Sequence, residues 1–183
     1  SYKMDAIIPH LFVSNEETAR NQATLNGHNI HAIISLTGEV AFPANYTYLS
    51  FNMADSLTQD IREIFPVAIG FIESHISKFK NVLVFCGAGS SRSGAIVIAY
   101  LMHTTKIDYY TALSLAQQRR PIIQPNPSFE YQLVMQDIHN EYPVTNHIPS
   151  DFTEGITILP FTYLKNPNAK NYILFTHIPY RDM

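Results

Sequence analysis

The chain of 183 residues is long enough for one domain with a small appendage. Its 46% hydrophobic and 15% charged residues exclude a disordered chain, because that much apolar surface can form a core. The net charge of −3 argues against a nucleic-acid binder that relies on a broad basic surface.

The cysteine content excludes two further classes. Cys86 is the single cysteine, so the chain can form neither an intrachain disulfide nor a cysteine-based zinc cluster. His28 and His31 are the closest pair of histidines, and we interpret them as ordinary residues. We therefore expect no metal and no cofactor.

The sequence predicts a soluble protein. Its apolar runs are far shorter than the ~20 residues that a membrane span needs, and the start SYKMDAII is unlike a signal peptide. We expect a reduced protein of the cytoplasm, with the nucleus as the alternative location, and a monomer.

The first half of the chain predicts alternating strands and helices. Apolar or alternating runs indicate strands at residues 11–13, 31–36, 46–52 and 82–85. Helices are predicted at 15–25 and 58–80. Pro66 fits either a kink in the second helix or the first turn of a helix that begins after a turn at 60–65.

The second half predicts helices and then an extension. Helices are predicted at 93–106, 109–119 and 128–140, with the proline-rich loop RRPIIQPNP between the last two. We expect an α/β fold with a central mixed, mainly parallel sheet and helices on both faces. The β-prone segments GITILPFTYL and NYILFTHIPY, joined by the turn-rich KNPNAK, predict a hairpin packed on the domain. The alternative is an extended tail that wraps the domain.

The stretch VLVFCGAGSSRSG, residues 82–94, carries the candidate chemistry. Cys86 follows a buried strand, and a helix begins near Ser93, so the positive end of that helix favours a thiolate. The small residues 87–89 let backbone N–H groups turn inward to form a cradle for an oxyanion, and Arg92 adds a planar fork of donors. A nucleophile in such a cradle indicates phosphoryl transfer through a thiophosphate intermediate. The alternative is a buried cysteine of the core.

The segment CGAGSSRS matches the C-x5-R-S/T signature of protein tyrosine phosphatases, and the chain resembles their dual-specificity branch. The other blocks that resemble this branch, in the same order, are LFVSNEETA, IISLT, NMADS, AYLM and PNPSFEYQL. The resemblance implies a phosphatase-like catalytic domain at residues 1–143. Residues 144–183 lie outside the resemblance and are predicted to be a C-terminal extension.

The resemblance also implies the roles of the site residues. Cys86 is expected to attack phosphorus, Arg92 to bind the phosphate oxygens, and Ser93 to donate to the cysteine sulfur and ease its departure. The backbone cradle is expected to consist of Gly87, Ala88, Gly89, Ser90, Ser91 and Arg92.

Two further residues are expected to support this chemistry. Asp55, which follows a predicted strand, is expected to be the general acid; Asp60 is the rival, although its place at the start of a helix favours capping. Asn126 is expected to brace the phosphate loop, and its alternative is a plain turn residue before Pro127.

The sequence favours a phosphoprotein as substrate. This follows from the resemblance: inositol-lipid phosphatases of this superfamily tend to have basic residues in the loop, and the loop here contains no lysine. The segment before Cys86 also lacks the long insert that builds a deep pocket in phosphotyrosine-specific relatives. A shallow pocket would admit phosphotyrosine, phosphoserine and phosphothreonine. We expect no nucleic-acid partner.

Two alternative functions remain open. Phe85 stands where the family usually has histidine, so we expect a less readily ionised thiol and reduced turnover, and a weakly active or inactive phosphate-binding module is one alternative. A lipid, nucleotide or RNA phosphatase is the other. Arg119 and Arg120 would support it if they flanked the pocket as a second anion site, whereas a solvated helix end would not.

Overall fold

A mixed β-sheet runs through the computed structural model, which describes residues 2–136, 155–159 and 172–176. In these residues the strands are β1 (Met4–Ile8), β2 (Leu11–Asn15), β3 (Ile30–Ser35), β4 (Thr47–Ser50), β5 (Asn81–Cys86), β6 (Gly155–Leu159) and β7 (Tyr172–Thr176). Their order across the sheet is β1-β2-β5-β3-β4-β7-β6. The four strands β2, β5, β3 and β4 are parallel, and the outer pairings are antiparallel. The predicted mixed sheet with a parallel centre is confirmed.

Helices cover both faces of this sheet. They are α1 (Glu16–Ala19), α2 (Gln22–Gly27), α3 (Phe65–Ile76), α4 (Arg92–Thr105), α5 (Tyr109–Arg119) and α6 (Pro127–Met135). The larger apolar cluster joins one face of the strands to α3, α4, α5 and α6. A smaller cluster on the other face includes side chains of α1 and α2. Because the helices lie on both faces, the α/β class is confirmed.

Strand β5 is the element that positions the site. It lies between β2 and β3 in parallel register, and its apolar run is buried on both faces. Successive side chains point to opposite faces, so Val84 and Cys86 belong to the larger cluster while Leu83 and Phe85 belong to the smaller one. Cys86 therefore emerges at the carboxyl edge of the parallel strands, on the side of α4.

The structure corrects several predicted elements. The single helix expected at 15–25 is wrong: Asn15 accepts the N–H of Thr18 and Asn21 accepts the N–H of Thr24, so each asparagine begins a separate short helix. Strand β1 was not predicted. The helix expected at 58–80 is a short 3-10 helix, Arg62–Ile64, followed by α3, and Pro66 lies in the first turn of α3.

The C-terminal strands extend the sheet. β7 pairs antiparallel with β4, and β6 pairs antiparallel with β7. The helix predicted at 128–140 ends earlier, at Met135, because the backbone of Gln136 is extended. The connection KNPNAK and the boundary at 143 lie outside the described residues, so the division into domain and extension stays a prediction. In the described segments no helix has the length and apolar character needed to cross a membrane.

The buried His75 predicts a pH dependence of stability. It lies near the end of α3, where its Nδ1 donates to the carbonyl of Phe71 over 2.8 Å. Desolvation by burial lowers the pKa of His75 from 6.5 to about 4, against the opposing effect of the Phe71 hydrogen bond. The unfolded chain therefore takes up a proton at a higher pH than the folded chain does. The free energy of unfolding should fall as pH decreases from 6.5 to 4.

We expect His75→Gln to remove about 3 kcal/mol of this pH dependence, measured by urea unfolding at several pH values. His28, which follows α2 and is not among the groups that act on the pKa of His75, supplies the control, and His28→Gln should keep the slope of the wild type. Equal slopes in the wild type and His75→Gln would contradict the assignment.

Candidate active site

The loop at residues 87–91 joins the end of β5 to the start of α4. Cys86 precedes it and is only 2% exposed. The Cys86 sulfur lies 3.1 Å from the hydroxyl oxygen of the buried Ser93, in the first turn of α4. The sulfur thus lies within hydrogen-bonding distance of a hydroxyl group at the N-terminal turn of α4.

The oxygen atoms of the loop are bonded to the surrounding elements. The N–H of Glu16 donates to the Gly87 carbonyl over 3.2 Å, and the N–H of Gln124 donates to the Ser90 carbonyl over 3.1 Å. The hydroxyl of Ser90 donates to the carbonyl of Ile122 over 2.7 Å. With these oxygens directed outward, the backbone N–H groups are the donors that the loop can offer to an anion.

Gly89 is required by the path of the loop. Its φ is +69°, a conformation that favours glycine. A Cβ built there would lie 2.6 Å from Nη2 of Arg120 and 2.7 Å from the carbonyl carbon of Ser14 in β2. Both the backbone conformation and the close approach therefore exclude a side chain.

The carboxylate of Asp55 is hydrogen-bonded to the loop. Its Oδ1 accepts hydrogen bonds from the hydroxyl of Ser91, over 2.7 Å, and from Nδ2 of Asn126, over 2.9 Å. The N–H of Asn126 donates to the same Ser91 hydroxyl over 2.9 Å. Asp55, Ser91 and Asn126 thus form one closed network, although they lie far apart in the sequence.

Asn126 has a second structural role. Its Oδ1 accepts the N–H of Phe129 over 2.9 Å and caps α6, while Nδ2 also donates to the carbonyl of Ser56. The Asn126 side chain thus contacts both the Asp55 segment and α6. A plain turn residue before Pro127, the alternative predicted for Asn126, would not make these contacts.

Arg92 lies at the base of the loop. Its Nη1 donates to the carbonyl of Met53 over 2.9 Å, which fixes the guanidinium. Its Nε is buried and has no hydrogen-bond partner among the described residues. A Cβ built on Gly87 would lie 3.1 Å from Nη2 of Arg92, so a glycine leaves room for the guanidinium. Arg92 therefore retains a buried donor that an anion can satisfy.

The prediction that Arg120 could form a second anion site together with Arg119 is wrong. Arg120 is only 6% exposed, and its Nε donates to the carbonyl of Gly89 over 2.9 Å. Its Nη1 forms a salt bridge of 2.7 Å with Asp5 in β1. The side chain is neither a solvated helix end nor a free cation; it supports the loop from beneath. Arg119 is exposed.

Asp60, the rival acid, and Phe85, which replaces the usual histidine, both make structural contacts with other parts of the fold. Asp60 accepts the N–H of Arg62 over 3.0 Å and stabilises the turn before the 3-10 helix. Phe85 is 1% exposed in the smaller apolar cluster, on the face of the sheet opposite the Cys86 side chain.

An open cleft of about 490 Å³ lies beside the loop. Its lining residues are Asp55, Cys86, Ala88, Ser90, Ser91, Arg92, Gln124, Pro125, Asn126, Pro127 and Glu130. Among the residues that the structure describes, no three His, Cys, Asp or Glu side chains are grouped so as to hold a metal ion. The arrangement can bind an oxyanion in front of a nucleophile with a carboxyl group nearby.

The comparisons with known proteins agree with this geometry. The family model described as dual specificity phosphatase, catalytic domain, matches residues 11–138, so the chain belongs to the dual specificity phosphatase family. Dual specificity protein phosphatase 19 of Mus musculus is 34% identical over 157 residues, which are 84% of this chain and 71% of that protein. The resemblance predicted from CGAGSSRS is confirmed.

Other relatives extend the same picture. MAP kinase phosphatase with leucine-rich repeats protein 3 of Dictyostelium discoideum is 40% identical over 131 residues, which are 70% of this chain but only 15% of that protein. The crystal structure of DUSP15 aligns with a TM-score of 0.69 and 33% identity over 73% of this chain and 86% of that chain. The chain is a protein phosphatase of the cysteine-dependent superfamily, as its sequence predicted.

Sequence reasoning missed three residues around this site. Asp5, Glu16 and Glu130 contact the loop network or line the cleft. Glu16 and Glu130 lie inside the blocks LFVSNEETA and PNPSFEYQL, but neither was assigned a role at the site. Helix spacing offered one signal, since Glu130 follows Asn126 by one turn. No local pattern relates Asp5 to Arg120.

We expect Gly89→Ala to disrupt the loop. The added methyl group meets Arg120 and the Ser14 backbone, and the positive φ becomes strained, so phosphatase activity should fall on the order of 10–100-fold and stability by about 1–3 kcal/mol. Hydrolysis of para-nitrophenyl phosphate and urea unfolding would measure both effects.

Gly27→Ala is the matched control, because a Cβ at Gly27 meets nothing within 4 Å. It should leave both quantities unchanged or raise stability slightly. A Gly89→Ala protein with wild-type activity would show that the close approach at Gly89 is not required.

Proposed function

We propose that this chain hydrolyses phosphate esters on protein side chains through a phosphocysteine at Cys86. The observation that supports this most strongly is the convergence of Asp55, Cys86 and Arg92 on one cleft. A nucleophile, a cation and a carboxyl group in this arrangement fit the three requirements of phosphoryl transfer: attack, charge stabilisation and protonation of the leaving group.

In the first step the Cys86 thiolate attacks phosphorus, and the bond from phosphorus to the ester oxygen breaks. The N–H groups of residues 87–91 and the guanidinium of Arg92 bind the other phosphate oxygens as charge spreads over them. Asp55 donates its proton to the departing oxygen. The two hydrogen bonds at Oδ1 from Ser91 and Asn126 orient the carboxyl group and leave Oδ2 for this transfer.

In the second step water attacks the phosphocysteine, and the bond from sulfur to phosphorus breaks. Asp55, now a carboxylate, accepts the proton of the water, and inorganic phosphate leaves. The Ser93 hydroxyl, 3.1 Å from the sulfur, can donate to the departing thiolate and so lower the barrier of this step.

The cleft supports a protein rather than a lipid substrate. The variable loop residues Gly87, Ala88, Ser90 and Ser91 are uncharged, and Arg120 is occupied by Asp5 and Gly89. Of Arg119 and Arg120, the two cations that would have favoured a lipid, nucleotide or RNA substrate, only the exposed Arg119 is therefore left without these partners. An open cleft suits phosphotyrosine, phosphoserine and phosphothreonine. The monomeric state and a cytoplasmic or nuclear location stay predictions.

An inactive phosphate-binding module is the second candidate, because Phe85 replaces the usual histidine. The position of Phe85 weakens this candidate. Phe85 packs on the opposite face of the sheet, and the contacts of Cys86 with Ser93 and of Asp55 with Ser91 do not involve it. We therefore propose reduced turnover rather than its loss.

We expect Asp55→Asn to slow hydrolysis by about 10²–10⁴-fold for phosphopeptides, whose leaving oxygens need a proton. The loss should be smaller for para-nitrophenyl phosphate, because nitrophenolate leaves readily without protonation. Cys86→Ser should abolish hydrolysis of both. Initial rates on the two substrates would measure these differences.

Asp60→Asn is the control, since Asp60 does not line the cleft. It should hydrolyse both substrates at nearly the wild-type rate. If Asp55→Asn slowed both substrates equally, Asp55 would not be the acid, and an inactive wild type would favour the binding module.

A further inference from the structure

The ionisable groups of the cleft are mostly acidic. Of the described residues that line it, Asp55 and Glu130 carry carboxyl groups, Cys86 carries the thiol, and Arg92 is the one cation. Arg92 lies at the base, where it is hydrogen-bonded to Met53. A substrate phosphate would neutralise it there. Because Asp55 carries its proton when the substrate binds, Glu130 is then the lining side chain that presents negative charge to the residues next to the phosphate.

Glu130 is fixed at the rim of the cleft by α6. It lies one turn after Asn126, whose carbonyl accepts the N–H of Glu130 over 2.9 Å. Residues four positions apart share one face of a helix, so Glu130 projects on the same side as Asn126, the residue that holds Asp55. Its side chain is partly buried, which reduces screening of its charge by solvent.

Two arginines of the described residues are paired with carboxylates other than Glu130. Arg120 forms a buried salt bridge with Asp5, and Arg62 lies 3.4 Å from the carboxylate of Asp60. Among the described residues, the carboxylates that form salt bridges are those of Asp5 and Asp60, and Glu130 forms none. The carboxylate of Glu130 therefore has no such cation to offset it.

We propose that Glu130 determines substrate specificity: it favours phosphopeptides with lysine or arginine beside the phosphorylated residue and disfavours acidic neighbours or a second phosphate. This inference rests on the proposed function, since it concerns what the phosphatase cleft accepts. The physical basis is the interaction of a rim carboxylate with the charge of the neighbouring substrate residue.

The test compares two phosphotyrosine peptides that differ only in lysine or glutamate on both sides of the phosphotyrosine. The wild type should have a higher kcat/KM for the lysine peptide. Glu130→Gln, which keeps the shape and removes the charge, should lower the ratio of the two values by about twofold to tenfold. The ratio of the wild type should also shrink as salt concentration rises.

Glu73→Gln is the matched control. Glu73 is also partly buried on a helix and carries the same charge, but α3 leads into the opposite end of β5 and Glu73 does not line the cleft. Glu73→Gln should keep the wild-type ratio. An equal change in Glu73→Gln and Glu130→Gln, or no change in Glu130→Gln, would overturn the assignment of Glu130.

Two measurements separate this inference from the proposed function. Hydrolysis of both peptides with an equal kcat/KM in the wild type would overturn the inference and leave the phosphatase function intact. If the wild type hydrolysed neither peptide, binding to Cys86→Ser would decide: a lower Kd for the lysine peptide, lost in the Glu130→Gln background, would support Glu130. Equal Kd values or no binding would overturn it.

Discussion

The backbone of residues 87–91 must direct its carbonyl oxygens outward, because only then can its N–H groups face an anion. Outward carbonyls would be costly inside a protein without donors, and this fold supplies them from separate elements. Glu16 from α1, Arg120 after α5 and Gln124 before α6 each donate to the loop. The order of the parallel strands brings these elements together at the end of β5.

The same requirement explains a buried ion pair. Arg120 can donate to Gly89 only from a position close beneath the loop, where an unpaired guanidinium would be strongly destabilising. Asp5 from β1 neutralises it over 2.7 Å. The antiparallel strand β1 thus contributes to the active-site architecture from the edge of the sheet, and a positive charge that could have attracted acidic substrates is removed from the surface. The acidic character of the cleft rim follows from this pairing and from Glu130.

Local features could be predicted from the sequence. The bounds of α5 at 109–119, the buried strand before Cys86 and the glycine loop all follow from apolar runs and small residues within a few positions. The nucleophile Cys86 and the anion-binding Arg92 were predicted from residues 82–94 themselves, whereas the expected role of Asp55 came from the resemblance. Asp5 and Arg120 could not be related, because they are 115 positions apart and the contact exists only once the sheet has formed. The division of one expected helix into two could not be predicted either, because the residues 15–25 have a continuous helical pattern. The break arises because the Asn21 side chain accepts the N–H of Thr24 and caps a new helix.

The assignment of Cys86 as nucleophile can be tested by mass spectrometry of the enzyme quenched during turnover of para-nitrophenyl phosphate. We predict a phosphate group covalently attached to Cys86, formed at least as fast as product is released and absent from Cys86→Ser. Hydrolysis that proceeds without phosphate on Cys86, or with phosphate on another residue, would contradict the assignment of Cys86 as nucleophile.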